Sequence, residues 1–178
     1  EGAGVVITGD REALEEGMTF PPIEPPAVSS SGSVAFAEDA TLGPGLLGFD
    51  EVLAEAGAIL TIEGPAQIVM SDFVLESGST LAIDSTNGAV EIYSSGDWDV
   101  SSDSTIRTTS ESARDFQLFL SGNTDSGSDP ATVRLNANSV LHGAIYAPAA
   151  SVTVPPGFEL FGSLIAGDLV LGEGAHFH

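Results

Sequence analysis

The sequence predicts an all-β, single-domain protein: a right-handed parallel β-helix (β-solenoid) of about six coils with an N-terminal arm or cap. Three observations support this fold. Six segments repeat one strand–turn–strand pattern, short alternating strands continue from Val52 to the C-terminus, and no helical periodicity interrupts them. The 178 residues suit one domain, and 42% hydrophobic residues are enough for a buried core. We expect residues 51–178 to form the β-helix.

Residues 1–50 lack the repeat and are predicted to form an N-terminal arm with a short helix and a proline-rich linker or cap. Residues 10–17 begin with acidic side chains and end in glycine, as helix termini prefer. Residues 19–28, TFPPIEPPAV, contain four prolines, which favours an extended linker. Residues 34–49 resume the alternation, so they are predicted to form either an incomplete first coil or a cap.

The six repeats align on a turn residue that is always Gly, Asp or Asn. These types tolerate a positive φ, so a shared left-handed bend explains the column without a catalytic role. The turn column is Gly57, Gly78, Asp103, Asn138, Gly157 and Gly174. Three positions later each repeat has a large apolar residue, and stacking at about 4.8 Å per coil would bury these residues in one ladder. The structural core ladder is Leu60, Leu81, Ile106, Leu141, Leu160 and Phe177.

The spacing of the turn residues is uneven, which favours a right-handed β-helix over the hexapeptide-based left-handed form. A β-sandwich is the competing fold, because short strands with regular turns also describe one. The in-register apolar columns favour the β-helix, since a sandwich has no reason to keep the same offsets six times.

The charge is strongly acidic, with 26 Asp and Glu against four Arg, a net charge of -22. Such a surface repels phosphate backbones and anionic headgroups, so nucleic acid is not an expected partner. No apolar run approaches the roughly 18 residues of a membrane span, so this segment is not expected to insert directly into a membrane. Without cysteine there is no disulfide framework or thiol chemistry. The carboxylates are expected mainly to keep a β surface soluble.

Metal ligands are sparse, and no cofactor is expected. Asp125 and Asp129 lie in the loop 121–130 and are weak candidates for Ca²⁺, but their spacing matches neither an EF-hand nor a calcium-binding β-roll. A solvated insertion is the favoured interpretation. In the repeat register His142 and His178 lie two coils apart, about 10 Å, too far to share one metal. His176 shares a column with Glu159, so these two could form a hydrogen-bonded pair.

Acids also surround the single tryptophan, in the segment GDWDVSSD. Asp97, Asp99 and Asp103 flank Trp98, and clustered acids occur in β-helical enzymes that act on polysaccharides. However, Trp98 falls in an inward column, and Arg107, the nearest base, follows the turn. No phosphate loop, nucleophile elbow or metalloprotease motif is present. We therefore expect no enzyme, and a carbohydrate-binding or carbohydrate-active β-helix protein is the alternative.

The C-terminal part, residues 141–178, resembles the end of an uncharacterised bacterial β-helical domain. Its pattern is a Gly-x-x-Tyr-Ala-Pro-x-Ala step, then a Tyr/Phe-Gly-Ser step, then a histidine near the end. The matching residues are Gly143, Tyr146, Ala147, Pro148, Ala150, Phe161, Gly162, Ser163 and His178. The similarity extends over about residues 40–178. That domain often follows PilX-type, type IV pilin-like N-terminal segments, and it is similar in style to choice-of-anchor A surface domains.

The resemblance implies an exported structural module, and family members supply no activity to carry over. Together with the predicted solenoid, it leads us to expect a non-enzymatic extracellular module at the bacterial cell surface. The expected role is a surface-, pilus- or filament-associated spacer or adhesin subunit. Its expected partners are proteins or further copies of the chain, bound at the solenoid's ends or flanks, and a glycan is the alternative ligand.

Overall fold

Parallel β-strands stack along one axis to form a β-solenoid of about six turns, which confirms the predicted fold class. The structure, a computed structural model, describes residues 19–101, 103–121, 131–135 and 139–178, and these ranges contain no helix. The predicted helix at residues 10–17 lies outside them. Parallel pairing occurs in both right-handed and left-handed solenoids, so the right-handed coiling of the chain stays a prediction.

Each of the first four turns contributes three strands, because the alternating segments are too short to extend past a corner. These strands are β1 (Val34–Phe36), β2 (Ala40–Leu42), β3 (Gly45–Gly48), β4 (Glu51–Ala54), β5 (Ile59–Glu63), β6 (Ala66–Met70), β7 (Asp72–Leu75), β8 (Thr80–Asp84), β9 (Val90–Ser94), β10 (Trp98–Val100), β11 (Thr105–Thr108) and β12 (Phe116–Leu120). The later strands are β13 (Thr132–Arg134), β14 (Val140–Val154), β15 (Glu159–Leu171) and β16 (His176–Phe177). Strands β14 and β15 are long because each bends around corners and supplies more than one face.

The strands line three faces of the solenoid. The first face follows the order β1-β4-β7-β10-β13 and continues into the ends of β14 and β15. The third face follows β3-β6-β9-β12 and continues into the middle of β14 and β15. On the second face β2-β5-β8-β11 form a separate four-stranded sheet. Among the described strands, the start of β14 lies against β11 without joining its hydrogen-bonded ladder.

The solenoid begins at Val34, upstream of the expected boundary at residue 51. Val34 pairs with Val52, and Ala40 pairs with Leu60, so residues 34–48 form a first turn. Counting back from Ala40, the position equivalent to the turn glycines is Ala37. The repeat, which requires a Gly, Asp or Asn at this position, does not extend to the first turn. Of the two interpretations of residues 34–49, an incomplete first coil or a cap, the pairing supports a first coil.

The core ladder lies in register over most of its length. Leu60 pairs with Leu81, and Leu81 pairs with Ile106, all three being buried. Beyond the break between β11 and β14 the buried members are Leu141 and Leu160.

Phe177 departs from the expectation that the whole ladder is buried. It pairs with Leu160, as the repeat predicts, but 42% of it is exposed. The expected burial is wrong at this position, because Phe177 belongs to β16, the edge of the stack, and no described strand packs beyond it.

The residues of the turn column lie at the first corner of each turn, between the first and second faces, and the geometry of that corner accounts for most of them. The backbone N–H of Ser79 donates to the carbonyl of Glu76 at 3.1 Å, closing a tight turn with Gly78 at its third position. Gly78 has φ +71, and an added Cβ would meet only Gly57 N at 4.0 Å. Glycine is therefore favoured here by the backbone conformation and not by lack of space. The same positive φ occurs at Gly57, Gly157 and Gly174.

The other two turn positions are not glycine. Asp103 occupies the same place in its turn, where Ser104 N donates to the carbonyl of Ser101 at 3.1 Å. Ser104 is buried, and its hydroxyl also donates to Ser101 O, so the small polar side chain inside the corner satisfies its own hydrogen bond. Asn138 lies outside the described residues.

The second corner of each turn, between the second and third faces, has its own glycine column, which the predicted repeat does not include. A Cβ on Gly64 would lie 1.9 Å from the carbonyl oxygen of Gly88, and a Cβ on Gly162 would lie 1.9 Å from that of Gly143. Here successive backbones approach so closely that no side chain fits between them. Because the coils differ in length, these glycines do not follow the turn residues at a constant spacing, and the repeat does not reveal them.

Candidate functional site

Aromatic side chains form an outward-facing column on the third face of the solenoid. Tyr93 pairs with Phe119 and Phe119 pairs with Tyr146, in three successive turns. The rings of Tyr93 and Phe119 stack with centroids 4.8 Å apart, which is the spacing of neighbouring strands. Phe119 and Tyr146 meet edge to face at 6.3 Å. We call Tyr93, Phe119 and Tyr146 the aromatic column.

The column continues with smaller side chains toward the first turn. Val69 pairs with Tyr93, and Gly48 pairs with Val69. At Gly48 an added Cβ would lie 2.7 Å from the carbonyl oxygen of Ser29. Glycine at this position therefore leaves room for a second segment to cross the sheet.

That second segment is residues 19–33, which we call the strap. At one end the ring of Phe20 meets Tyr146 edge to face at 6.5 Å, and the Tyr146 hydroxyl donates to the carbonyl of Pro21 at 2.6 Å. At the other end Ser31 N donates to the carbonyl of Gly48 at 2.9 Å. The strap thus follows one outward column from the fifth turn back to the first.

The strap covers the aromatic column without filling the space beneath it. An opening of about 360 Å³ is lined by residues 21–24 and by the three rings of the aromatic column. A second opening, of about 150 Å³, lies farther along, between Ile23, Pro25 and Val69. Both openings are concave and bounded largely by apolar groups, which is the usual character of a ligand site.

Polar groups fix the orientation of the first ring in the column. The Tyr93 hydroxyl donates to Glu91 Oε2 at 2.8 Å, and Gln67 Nε2 donates to the same oxygen at 2.8 Å. Partial burial, followed by the hydrogen bond and negative charge of Glu91, raises the pKa of Tyr93 to about 12. The hydroxyl therefore remains a proton donor over the whole physiological pH range.

The acidic segment around Trp98 has a structural role in this fold. Trp98 is 1% exposed and stacks on Phe73 at 4.1 Å, so it belongs to the core. Asp97 Oδ1 accepts a hydrogen bond from the backbone N–H of Thr132 at 2.8 Å. Asp103 lies apart, at the first corner, where it accepts from the Ser77 hydroxyl. The structure therefore does not bring the three acids together.

Asp97 and Asp99 line a small depression of about 60 Å³. Asp99 forms an exposed ion pair there with Arg134, which lies directly opposite it in the next turn, at 3.5 Å. Arg134, and not the sequence neighbour Arg107, is thus the base beside these acids. An exposed single ion pair of this kind contributes little to stability. It also does not resemble the basic cleft that an enzyme acting on acidic polysaccharides would need.

The histidines stack around one phenylalanine on the second face. Phe161 lies between His142, at a centroid distance of 4.8 Å, and His178, at 4.3 Å. His176 pairs in register with Glu159. Within the ranges that the structure describes, no three His, Cys, Asp or Glu residues gather as metal ligands. The calcium candidates Asp125 and Asp129 lie outside those ranges.

The C-terminal end of the stack exposes side chains that belong to core columns. Leu169 pairs with buried Val152 but is 46% exposed, and Leu171 pairs with buried Val154 but is 38% exposed. Phe177, which pairs with buried Leu160, adds to the same apolar surface. We call Leu169, Leu171 and Phe177 the open end.

The molecule is therefore a parallel β-solenoid with a strapped flank and one open end. A family model described as "Domain of unknown function (DUF7305)" matches residues 26–178, and the chain belongs to this family. No match was found among curated proteins or among solved structures. Across the described part of the chain, no helix has the length and hydrophobicity that crossing a bilayer requires.

The residues that carry the resemblance now have structural roles. Gly143 and Gly162 stack at the second corner, where only glycine fits. Tyr146 holds the strap. These three positions therefore shape the second corner and hold the strap.

Proposed function

We propose that this domain is a non-enzymatic structural module: a rigid spacer or filament-associated subunit that joins other copies through its ends. The observation that carries this proposal is the open end. Leu169, Leu171 and Phe177 continue three core columns of the solenoid, and no further turn among the described residues packs on them. Terminal coils of solenoids need such a cover, because they otherwise expose apolar surface and unpaired backbone groups.

A second copy of the chain offers apolar residues in the same columns as a cover. Its first turn presents Val34, Phe36 and Ala40, which belong to the same columns as Leu169, Leu171 and Phe177. These three first-turn residues are only part-buried. A head-to-tail contact of this kind is heterologous and does not close, so repeated contacts produce a filament.

The charge of the chain sets the condition for assembly. At a net charge of -22, two copies repel each other at low ionic strength, and salt screens this repulsion within about 10 Å at 0.1 M. Assembly is therefore expected to strengthen with salt. A contact dominated by ion pairs would weaken instead.

An extracellular position at the bacterial cell surface completes the proposal. Support comes from the resemblance to domains that follow PilX-type, pilin-like segments and to choice-of-anchor A surface domains. A protein-dense surface would also keep copies concentrated enough for a weak end-to-end contact.

The test is light scattering across a concentration series at low and high salt. We expect the mean mass to rise with concentration at about 0.5 M NaCl and Leu169→Glu with Leu171→Glu to abolish the rise. Val140→Glu is the matched control, because Val140 is 45% exposed but lies away from the open end. A mass that stays monomeric throughout, or that responds equally to both variants, contradicts assembly through the open end.

A carbohydrate ligand is the second candidate, favoured by the outward aromatic rings. Sugars bind rings through exposed faces, whereas Tyr93 and Phe119 turn their faces toward each other at 4.8 Å. A polysaccharide panel separates the two proposals. Reproducible cleavage of any glycan would contradict the non-enzymatic role.

A further inference from the structure

The strap contacts the solenoid with a period of three residues. Within residues 19–28 the part-buried positions are Phe20, Ile23 and Pro26, and the residues between them are exposed. A period of three is that of the polyproline II helix, the conformation that proline-rich segments prefer. One edge of the strap therefore faces the sheet while the other two face solvent.

The surface beneath the strap has the chemistry that recognises such a segment. Proline-rich helices dock on aromatic-lined grooves because they lose little conformational entropy on binding and offer carbonyl acceptors. Here the aromatic column supplies the rings, and the Tyr146 hydroxyl donates to the carbonyl of Pro21. Ile23 lines both openings together with Tyr93, so its side chain lies beside the aromatic column.

The attachment of the strap is compatible with exchange between molecules. Residues 29–31 and 33 are exposed, and Gly32 has φ +89 with nothing within 4 Å of an added Cβ. Moving the strap from this point breaks two backbone hydrogen bonds, from Ser31 N to the carbonyl of Gly48 and from Asp50 N to the carbonyl of Gly32, and leaves the core side chains in place. The same contacts form whether the strap comes from the same copy or from another, which is the condition for domain swapping.

We propose that the aromatic column is a binding site for an extended proline-rich segment, and that the strap of a second copy enters it when copies are crowded. The strap of the same copy is the resident ligand. Its effective concentration is in the millimolar range for a short linker, so exchange needs comparable local concentrations. This site lies on the flank and does not depend on the end-to-end contact proposed above.

Peptide binding to the full chain tests the site. The probe is a fluorescent synthetic peptide of residues 19–28, and the receptor is the full chain with Ile23→Asp, which weakens its own strap and leaves the column intact. We expect the peptide to bind this variant at least about tenfold more tightly than the wild-type chain. A peptide with serine in place of Ile23 should lose binding, while serine in place of Glu24, an exposed neighbour, should not.

Changes on the receptor locate the site. Added to the Ile23→Asp chain, Phe119→Ala is expected to weaken peptide binding at least about tenfold, and Tyr146→Phe, which removes only the hydroxyl, about fivefold. Phe161→Ala is the matched control, because Phe161 is an outward aromatic residue on another face. Equal binding of the two serine peptides, or equal effects of Phe119→Ala and Phe161→Ala, would overturn the site.

Exchange itself is measured with two wild-type preparations carrying different fluorophores on the strap and on the solenoid. We expect energy transfer to appear when they are mixed at about millimolar concentration. It should disappear when excess peptide is added and persist in Leu169→Glu with Leu171→Glu. Peptide binding without any energy transfer would overturn the assignment of a second copy as the partner. Energy transfer that the open-end variant abolishes would do so as well.

Discussion

The two ends of the solenoid present the same columns to different surroundings. At the N-terminal end Val34 and Phe36 are part-buried, and the strap ties down the neighbouring third face at Gly48. At the C-terminal end Leu169 and Leu171, in those same columns, are 46% and 38% exposed. An inward position in the repeat therefore becomes a core position only when turns stack on both of its sides.

The largest expected effect contrasts the middle and the end of one ladder. Leu81→Ala removes a fully buried side chain between two stacked turns and is expected to lower the free energy of unfolding by about 2–5 kcal/mol. Phe177→Ala, at the open end, is expected to cost less than about 1 kcal/mol. Urea denaturation measures both. Equal losses would contradict an open C-terminal end.

The turn glycines offer the same contrast with a smaller effect. Gly78→Ala forces an alanine into the left-handed region and is expected to destabilise the chain by roughly 1–2 kcal/mol. Gly174→Ala imposes the same strain in the last turn, which can open locally, so its global cost should be smaller. Thermal unfolding of both variants compares them. Gly78→Asn is the control, since asparagine tolerates this conformation better than alanine.

Loss of the strap contact is expected to act locally. Tyr146→Phe removes the hydrogen bond to the carbonyl of Pro21, a net loss of about 0.5–1.5 kcal/mol. Amide exchange and proteolytic cleavage near residues 29–33 should accelerate while the core strands keep their protection. Uniform acceleration over the whole solenoid would mean that the strap is part of the global fold and not a separate element.

The smallest expected effect is a pH dependence from Tyr93. Its pKa is raised from 10.0 to about 12 in the folded chain, so its hydroxyl contributes stability that is fully present below about pH 10. That contribution is lost as the pH rises toward 12, because only the protonated hydroxyl donates to Glu91. Denaturation at several alkaline pH values should show a steeper decline for the wild-type chain than for Tyr93→Phe. Parallel curves would contradict this assignment.

Much of the fold was predictable because its rules are local and repeated. Gly78 and Gly157 mark bends through their own backbone conformation, and Leu60 and Leu160 alternate inward through the two-residue period of a strand. The repeat does not extend to the first turn because Ala37 stands where the repeat has a turn residue, and only the alternation of residues 34–49 indicated a first coil there.

The candidate site was less predictable than the fold. The proline-rich composition of residues 19–28 indicated an extended segment, but it did not indicate which surface the segment follows. Tyr146 was singled out only through a family resemblance. The stacking of Tyr93 on Phe119 does have a sequence signal, since both occupy the fourth position of a five-residue strand segment, VEIYS and FQLFL.

The all-β class, the stacking of parallel turns and the interior ladder as far as Leu160 follow from the amino-acid sequence, because backbone conformation and side-chain alternation depend on neighbouring residues. The position of the strap on the aromatic column and the exposure of Phe177 and Leu169 became visible only in the folded chain. Both outcomes depend on whether residues far away in the sequence pack against these positions, as Pro21 does when it accepts the hydrogen bond from Tyr146. No local sequence pattern predicts such contacts.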